Sequence, residues 1–239
     1  MIFALVLAGG TGSRMGADMP KQFLNILDKP VIIYTLEKFC RHGGFDKILV
    51  LTPDEWIGYT ERLIRKHLKE YKAVVKVLEG GQSRNDTIIN GICYIEEKYF
   101  LDDDTIIVTH DAARPFINNR IIDENINAVK FGGAATTAVP SIDTILYCPD
   151  KKSVENITDR SALYQCQTPQ TFRAKKFRDI YRSLDDKERE MLTDATGIFV
   201  KNGIEVSIVQ GENYNIKITY PNDLITARAY VEAGLVPTI

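Results

Sequence analysis

Short apolar runs alternate with stretches of helical period along this chain, and that alternation constrains its fold more than any other feature. Ile2 to Ala8, Lys47 to Thr52, Val74 to Leu78, Thr105 to Thr109 and Gly133 to Pro140 are of strand length and rich in β-branched residues. Between them, Trp56, Leu63, Ile64 and Leu68 recur at helical spacing, as do Ile88, Ile92, Ile95 and Tyr99, and then Ile121, Ile122, Ile126 and Val129. Strand–helix–strand units with right-handed crossovers follow, hence an α/β fold: a mostly parallel sheet covered by helices on both faces, three layers in all. Ligands of such sheets sit beyond the carboxyl ends of the strands.

After Pro140 the pattern changes. Ser141 to Cys148 and Val154 to Cys166 alternate like two strands around the polar turn Pro149-Asp150-Lys151-Lys152, so residues 141–166 predict a projecting β-arm. Helical spacing returns at Phe177, Ile180, Tyr181 and Leu184 and again from Met191 to Val200, followed by a strand at Glu205 to Val209. A last helix is expected near Pro221, because proline suits a first turn and Asp223 places negative charge at its positive end. No repeat or linker divides the 239 residues, so a single domain spanning 1–239 is expected.

Thirty Lys plus Arg against 32 Asp plus Glu leave a formal charge of −2, too balanced for a surface built to hold nucleic acid or an anionic membrane. No apolar run approaches the roughly 18 residues that span a bilayer, and the first one meets glycine too soon for a signal peptide. A cytoplasmic protein is expected. Cys40, Cys93, Cys148 and Cys166 are widely spaced with no histidine at metal-ligand intervals, which argues for reduced thiols and against zinc.

The sharpest local signal follows the first strand, where Gly9, Gly10, Gly12 and Gly16 fall within eight positions around Arg14 and just before Lys21. Glycines let backbone amides approach an anion closely. The spacing is not that of a GxxxxGK[ST] loop, and Met15 stands where a GxGxxG fingerprint starting at Gly10 requires glycine, so neither loop is matched.

Gly10-x-Gly12-x-Arg14-Met15 with Pro20-Lys21-Gln22-Phe23 resembles the signature of sugar-phosphate nucleotidyltransferases, specifically the cytidylyltransferases acting on methylerythritol phosphate and ribitol 5-phosphate. Gly80-Gly81-x-Ser83-Arg84, His110-Asp111-Ala112-Ala113-Arg114-Pro115, Asp143-Thr144 and Asp159-Arg160 also resemble that family. So do Gln167-Thr168-Pro169-Gln170-x-Phe172, Thr193-Asp194-Ala195 and Asn215-Ile216-Lys217-Ile218-Thr219, in the same order. The resemblance covers nearly the whole chain and implies a Rossmann-like nucleotidyltransferase fold.

It also implies roles. Arg14, Lys21 and Lys217 would be catalytic, clamping the triphosphate of CTP and the reacting phosphoryl group. Ala8, Gly9, Gly10, Gly12, Gly81, Ser83, Thr87 and Ala112 would bind the nucleotide, and Asp111 would serve Mg²⁺. Arg114, Thr144, Arg160, Thr168 and Thr193 would bind the sugar-alcohol phosphate, with Arg160 crossing on the arm to the partner's site in a homodimer. Such a transfer needs no general base, since the attacking phosphate is already an anion; that suits a chain with three histidines and no triad.

Simpler roles compete for several of these residues. Ser83 to Asp86 resembles a capping box, Arg160 could be a solvated hairpin arginine, and His110 reads as structural. Lys175, Lys176, Arg178 and Arg182 read as a solvated helix face. The flanking text at Met19 to Leu24, Leu163 to Arg173 and Leu192 to Ala195, with the longer segment Ser183 to Met191, looks more like the ribitol enzymes. A methylerythritol enzyme and a non-catalytic nucleotide-binding module remain the alternatives.

Overall fold

The computed structural model describes residues 1–10, 12, 15, 16, 19–130 and 133–236. In chain order the first half comprises β1 (Ile2–Leu7), the two-residue strands β2 (Asn25–Ile26) and β3 (Lys29–Pro30), α1 (Val31–His42), β4 (Lys47–Thr52), α2 (Asp54–His67), β5 (Val75–Glu79), α3 (Arg84–Lys98), β6 (Ile106–Asp111) and α4 (Asn119–Ala128). There follow β7 (Ala134–Pro140), β8 (Leu146–Tyr147), β9 (Asn156–Ile157), β10 (Tyr164–Arg173), α5 (Ala174–Ser183), α6 (Asp186–Met191), α7 (Ala195–Lys201), β11 (Val206–Gln210) and α8 (Pro221–Glu232).

Seven strands form the central sheet in the order β11-β7-β10-β6-β1-β4-β5. β10 runs antiparallel to both its neighbours; every other pairing is parallel. The period of two along β1 divides the core. Ala4 and Val6 face α1, α2 and α4, whereas Phe3 and Leu5 face α3, α5 and α7. Helices on both faces leave β6 with no exposed residue, the condition under which a parallel strand reads as a continuous apolar run. The expected α/β, three-layer, mostly parallel architecture is therefore the one observed.

A third cluster lies beside the sheet, where Ile26, Val31, Phe116, Ile218 and Ala227 bury together under the β2–β3 ribbon and α8. α8 begins at Pro221 as expected, and the Asp223 carboxylate accepts the backbone N–H groups of Thr219 and Tyr220 at 2.8 Å.

Four local departures have physical causes. The sequence reading has no helix at α1: Val31, Ile32 and Ile33 are all buried, since the helix packs on the sheet and on the third cluster at once, and its amphipathic period is blurred. The expected helix from Met191 to Val200 is two helices, because Asp194 caps α7 by accepting the Gly197 N–H at 2.7 Å. The arm pairs only through β8 and β9, and its second half is broken by the 3-10 turn Arg160–Ala162 before β10. β10 in turn runs on past the expected Cys166 to Arg173. Among the described residues no helix is long and apolar enough to cross a membrane.

Candidate active site

A cleft of about 340 Å³ opens beyond the carboxyl ends of β1, β5 and β6, the place where parallel sheets bind their ligands. Parallel register sets its floor: Leu7 of β1 lies opposite Asp111 of β6 and Leu51 of β4. Gly9 and Gly10 line one wall, and a Cβ built on Gly9 would touch nothing within 4 Å, so its backbone is open to a ligand. Gly12 does not line the cleft but shapes the loop. Its φ is +73°, and a Cβ there would sit 2.8 Å from the Lys21 backbone nitrogen, so only glycine fits.

Lys21 lines the cleft from the 3-10 turn Lys21–Phe23, which is anchored by the two residues that follow it. Phe23 packs between Trp56 and Tyr59 at ring distances of 5.0 and 5.1 Å. Gln22, almost wholly buried, donates its side-chain amide to the Ala8 carbonyl at 2.6 Å. The Ala8 N–H meanwhile bonds the Leu51 carbonyl at 2.8 Å, so Ala8 serves the fold and does not line the cleft as the resemblance implies.

The opposite wall is the start of α3. Ser83 and Asp86 form the expected capping box; Thr87 Oγ1 accepts the Gly81 N–H at 2.9 Å and donates to the Ser83 carbonyl at 2.8 Å. Ser83 and Thr87 line the cleft with Gly81, although their side chains are engaged in holding the loop. Helix N-termini favour anions, which adds to the positive character of this wall.

Asp111 stands at the centre with three cations around it. Arg84 pairs with its Oδ1, Lys217 Nζ lies 2.8 Å from Oδ2, and Arg114 Nε lies 3.6 Å from the same oxygen. Burial alone would raise the carboxyl, yet Arg84, Lys217 and Arg114 hold it far below the usual carboxylate range. Lys21, Arg84 and Lys217 line the cleft against Asp111 as the one carboxylate in its described lining, an excess of positive charge that suits a polyanion.

Lys217 is placed by its neighbours. The Ile218 N–H bonds the Ala113 carbonyl at 2.9 Å, and the buried Asn215 amide donates to Gln167 and to the Thr168 carbonyl. Beneath Asp111 runs a hydrogen-bond relay. The Asp111 N–H donates to Thr168 Oγ1 at 3.1 Å, and His110 touches Thr168 Oγ1 and the Arg114 carbonyl, each at 3.0 Å. A carbonyl only accepts, so His110 Nε2 carries the hydrogen and Nδ1 accepts from Thr168. Burial lowers the His110 pKa to about 4, so it is a neutral structural group, as its position suggests.

The other expected site residues are distributed unevenly. Gly9, Gly10, Gly81, Ser83, Thr87, Ala112, Lys21, Asp111 and Lys217 converge on one cleft. Arg114 and Thr168 lie behind Asp111, outside the lining, with the Arg114 guanidinium bonded to the Asn215 and Cys166 carbonyls. Thr144, Arg160 and Thr193 are exposed and do not line the cleft. Arg160 bonds the Ile142 carbonyl at 3.1 Å within the arm. Arg14 lies outside the described residues. Arg84 and Gln22 were given no role by sequence reasoning. The signal available for Arg84 was its place as the first residue of a helix after a glycine pair, which aims it at the cleft.

For a metal, the described residues offer no group of three His, Cys, Asp or Glu. Asp111 alone supplies a hard oxygen, and one carboxylate together with substrate phosphates is a usual Mg²⁺ environment. The donor set therefore fits Mg²⁺ as a partner of bound phosphates and does not fit a cation held by protein alone.

The model of the family described as 2-C-methyl-D-erythritol 4-phosphate cytidylyltransferase, IspD, matches residues 2–233. A ribitol-5-phosphate cytidylyltransferase of Lactiplantibacillus plantarum is 48% identical over 233 residues, 97% of this chain and 99% of the relative. The solved 4-diphosphocytidyl-2C-methyl-D-erythritol synthase of Anaerococcus prevotii superposes with a TM-score of 0.79 at 26% identity, covering 97% of this chain and 96% of that one. The 2-C-methyl-D-erythritol 4-phosphate cytidylyltransferase of Francisella tularensis gives a TM-score of 0.78 at 26% identity, covering 95% and 98%. Its motifs, its sheet and its match over nearly the full length agree: the chain belongs to the IspD family of cytidylyltransferases.

Proposed function

We propose that the protein transfers the cytidylyl group of CTP to D-ribitol 5-phosphate, giving CDP-ribitol and pyrophosphate. The observation that carries the chemistry is the cleft in which Lys21, Arg84 and Lys217 surround one carboxylate, a charge pattern suited to a triphosphate. The full-length likeness to a ribitol-5-phosphate enzyme at 48% identity favours ribitol as acceptor. Methylerythritol 4-phosphate is the second reading, favoured by the family description and by solved relatives at 26% identity. A nicotinamide enzyme would share the layers, but this chain lacks the glycine fingerprint such an enzyme carries.

In this reading an oxygen of the acceptor phosphate attacks the α-phosphorus, a new P–O bond forms, and the bond to the β-phosphate oxygen breaks as pyrophosphate leaves in line. Negative charge crowds around one phosphorus, and the chain's task is to hold cations there before the reaction begins. Lys21 and Lys217 line the same cleft and, with Arg14, neutralise the α-phosphate and the leaving oxygens. Gly9, Gly10 and Gly81 present backbone to the nucleotide where a side chain would intrude. Asp111 orients Lys217 and Arg84, and would hold Mg²⁺ jointly with the phosphates, where the ion supplies charge neutralisation.

The acceptor phosphate needs a cation of its own. Arg160 does not reach the cleft of its subunit, and the arm that carries it exposes Ile142, Leu146 and Ile157. We therefore read the chain as a homodimer in which the arm buries these residues on the partner and delivers Arg160, with Thr144, to the partner's site. CTP is an intracellular metabolite, which fits the expected cytoplasmic location. Pyrophosphate release with CTP and Mg²⁺, compared for ribitol 5-phosphate and methylerythritol 4-phosphate, tests the acceptor. Strong selectivity for ribitol 5-phosphate is expected; preference for the other acceptor would keep the mechanism and overturn the substrate.

A further inference from the structure

The wall of the cleft formed by Gly81, Gln82 and Ser83 is braced from behind by residues that never meet the cleft. Asp86, in the first turn of α3, accepts the Ser83 N–H at 3.1 Å and the Ser83 hydroxyl at 2.7 Å through Oδ2. Its backbone lies directly under Gly81, where a Cβ would fall 2.5 Å from Asp86 Cβ. Asp86, together with Thr87, therefore sets the position of the loop. Its remaining oxygen, Oδ1, accepts the Tyr181 hydroxyl of α5 at 2.6 Å.

Tyr181 is itself held on several sides. It is 5% exposed and stacks on Phe177 with rings 6.1 Å apart and 5° from parallel. The Arg189 guanidinium of α6 lies 5.0 Å over its ring, and Arg189 Nε donates to the Tyr181 carbonyl at 3.4 Å. Burial and the Asp86 carboxylate push the Tyr181 hydroxyl up to about 12, so it keeps its proton and donates. The same bond, with the Ser83 contacts, holds the Asp86 carboxyl below its ordinary range. A fixed donor thus meets a fixed anion that carries the loop.

We infer that Tyr181 is a positioning residue for the nucleotide, setting affinity for CTP by holding the 81–83 loop through Asp86 without touching the ligand. The inference rests on the proposed cytidylyl transfer. Lys21 and Lys217 are placed by other elements, so loss of the brace weakens nucleotide binding and leaves the reacting phosphoryl group clamped. The expected signature is a change in KM for CTP with little change in kcat.

The test is Tyr181→Phe in the full-length protein, with CTP binding measured by calorimetry beside steady-state kinetics. About five- to tenfold weaker CTP binding and a matching rise in KM for CTP are expected, with kcat and the acceptor KM within about twofold of the parent. A lower melting temperature with CTP affinity unchanged would make the contact merely structural and overturn the inference. So would a fall in kcat at unchanged KM. If the parent protein itself binds no CTP, the cytidylyl-transfer reading falls first, an outcome distinct from equal binding by parent and variant. Should Tyr181→Phe fail to fold, Arg189→Gln removes the stacked guanidinium from the surface side, and about twofold weaker CTP binding is the corresponding expectation; unchanged binding would overturn the inference.

Discussion

Asp111 meets Arg84, Lys217 and Arg114 at the cleft, and against the effect of burial these cations hold its carboxyl far below the usual range, so it is ionised at neutral pH. It cannot serve as a general base, so catalysis here is the placing of charge. Lys21→Ala should lower kcat by about 10²–10³-fold, on the scale of losing one preorganised donor to a developing anion, with a small change in melting temperature. Steady-state kinetics beside thermal unfolding would check both halves. Lys21 was legible in the sequence because Gly12 and Pro20-Lys21-Gln22-Phe23 form a local pattern. The pairing of Arg84 with Asp111 was not, because 27 residues and a crossover separate the two.

His110 gives the residue scale its pH dependence. Its pKa is lowered from about 6.5 to about 4 in the fold, chiefly by burial. Between those values the unfolded chain takes up a proton that the folded one refuses. The stability contribution is complete above pH 6.5 and is lost as pH falls toward 4, to the extent of about 3 kcal/mol. Denaturant unfolding of the metal-free protein at pH 7 and pH 4.5 should show this decline, and His110→Gln should flatten it. An equal slope in the variant would assign the decline to other groups.

At the scale of elements, most boundaries follow from local rules that can be read in advance. β1, β4 and β6 announce themselves as β-branched runs because both faces of the sheet are covered. The capping box at Ser83 and Asp86 and the proline start of α8 were equally legible. α1 was not, since three consecutive buried apolar residues look like a strand when the second packing partner, Ile218 and Ala227 of the third cluster, lies almost two hundred residues away. The division between α6 and α7 depends on one cap. Asp194→Ala should destabilise the protein by about 1 kcal/mol, seen as a lower urea midpoint at unchanged m-value. An unchanged midpoint would place the break in Leu192 and Thr193 instead.

Across the whole molecule, the topology gathers residues from the start, middle and end of the chain at the carboxyl ends of the central strands. Lys21, Asp111 and Lys217 meet only because β1 and β6 are adjacent and the 215–219 segment returns to Ala113. Arg160 and Thr144 stay on the exposed arm and do not line the cleft; in the proposed homodimer they would complete the partner's site. Mixing Lys21→Ala with Arg160→Ala subunits should restore part of the activity that each variant lacks, because one site of each mixed dimer then contains both residues. Proven subunit exchange without recovery would place Arg160 outside the neighbouring site. The proposed crossing leaves no periodic trace in a sequence; only the resemblance pointed to it.

The most direct test of cytidylyl transfer to ribitol 5-phosphate is phosphorus NMR of the protein incubated with CTP, Mg²⁺ and that acceptor. Loss of the triphosphate signals with matched growth of pyrophosphate and a pair of coupled diphosphate resonances from CDP-ribitol is the expected result. Intact CTP in the presence of the acceptor, or pyrophosphate with CMP and no diphosphate-linked product, would contradict it.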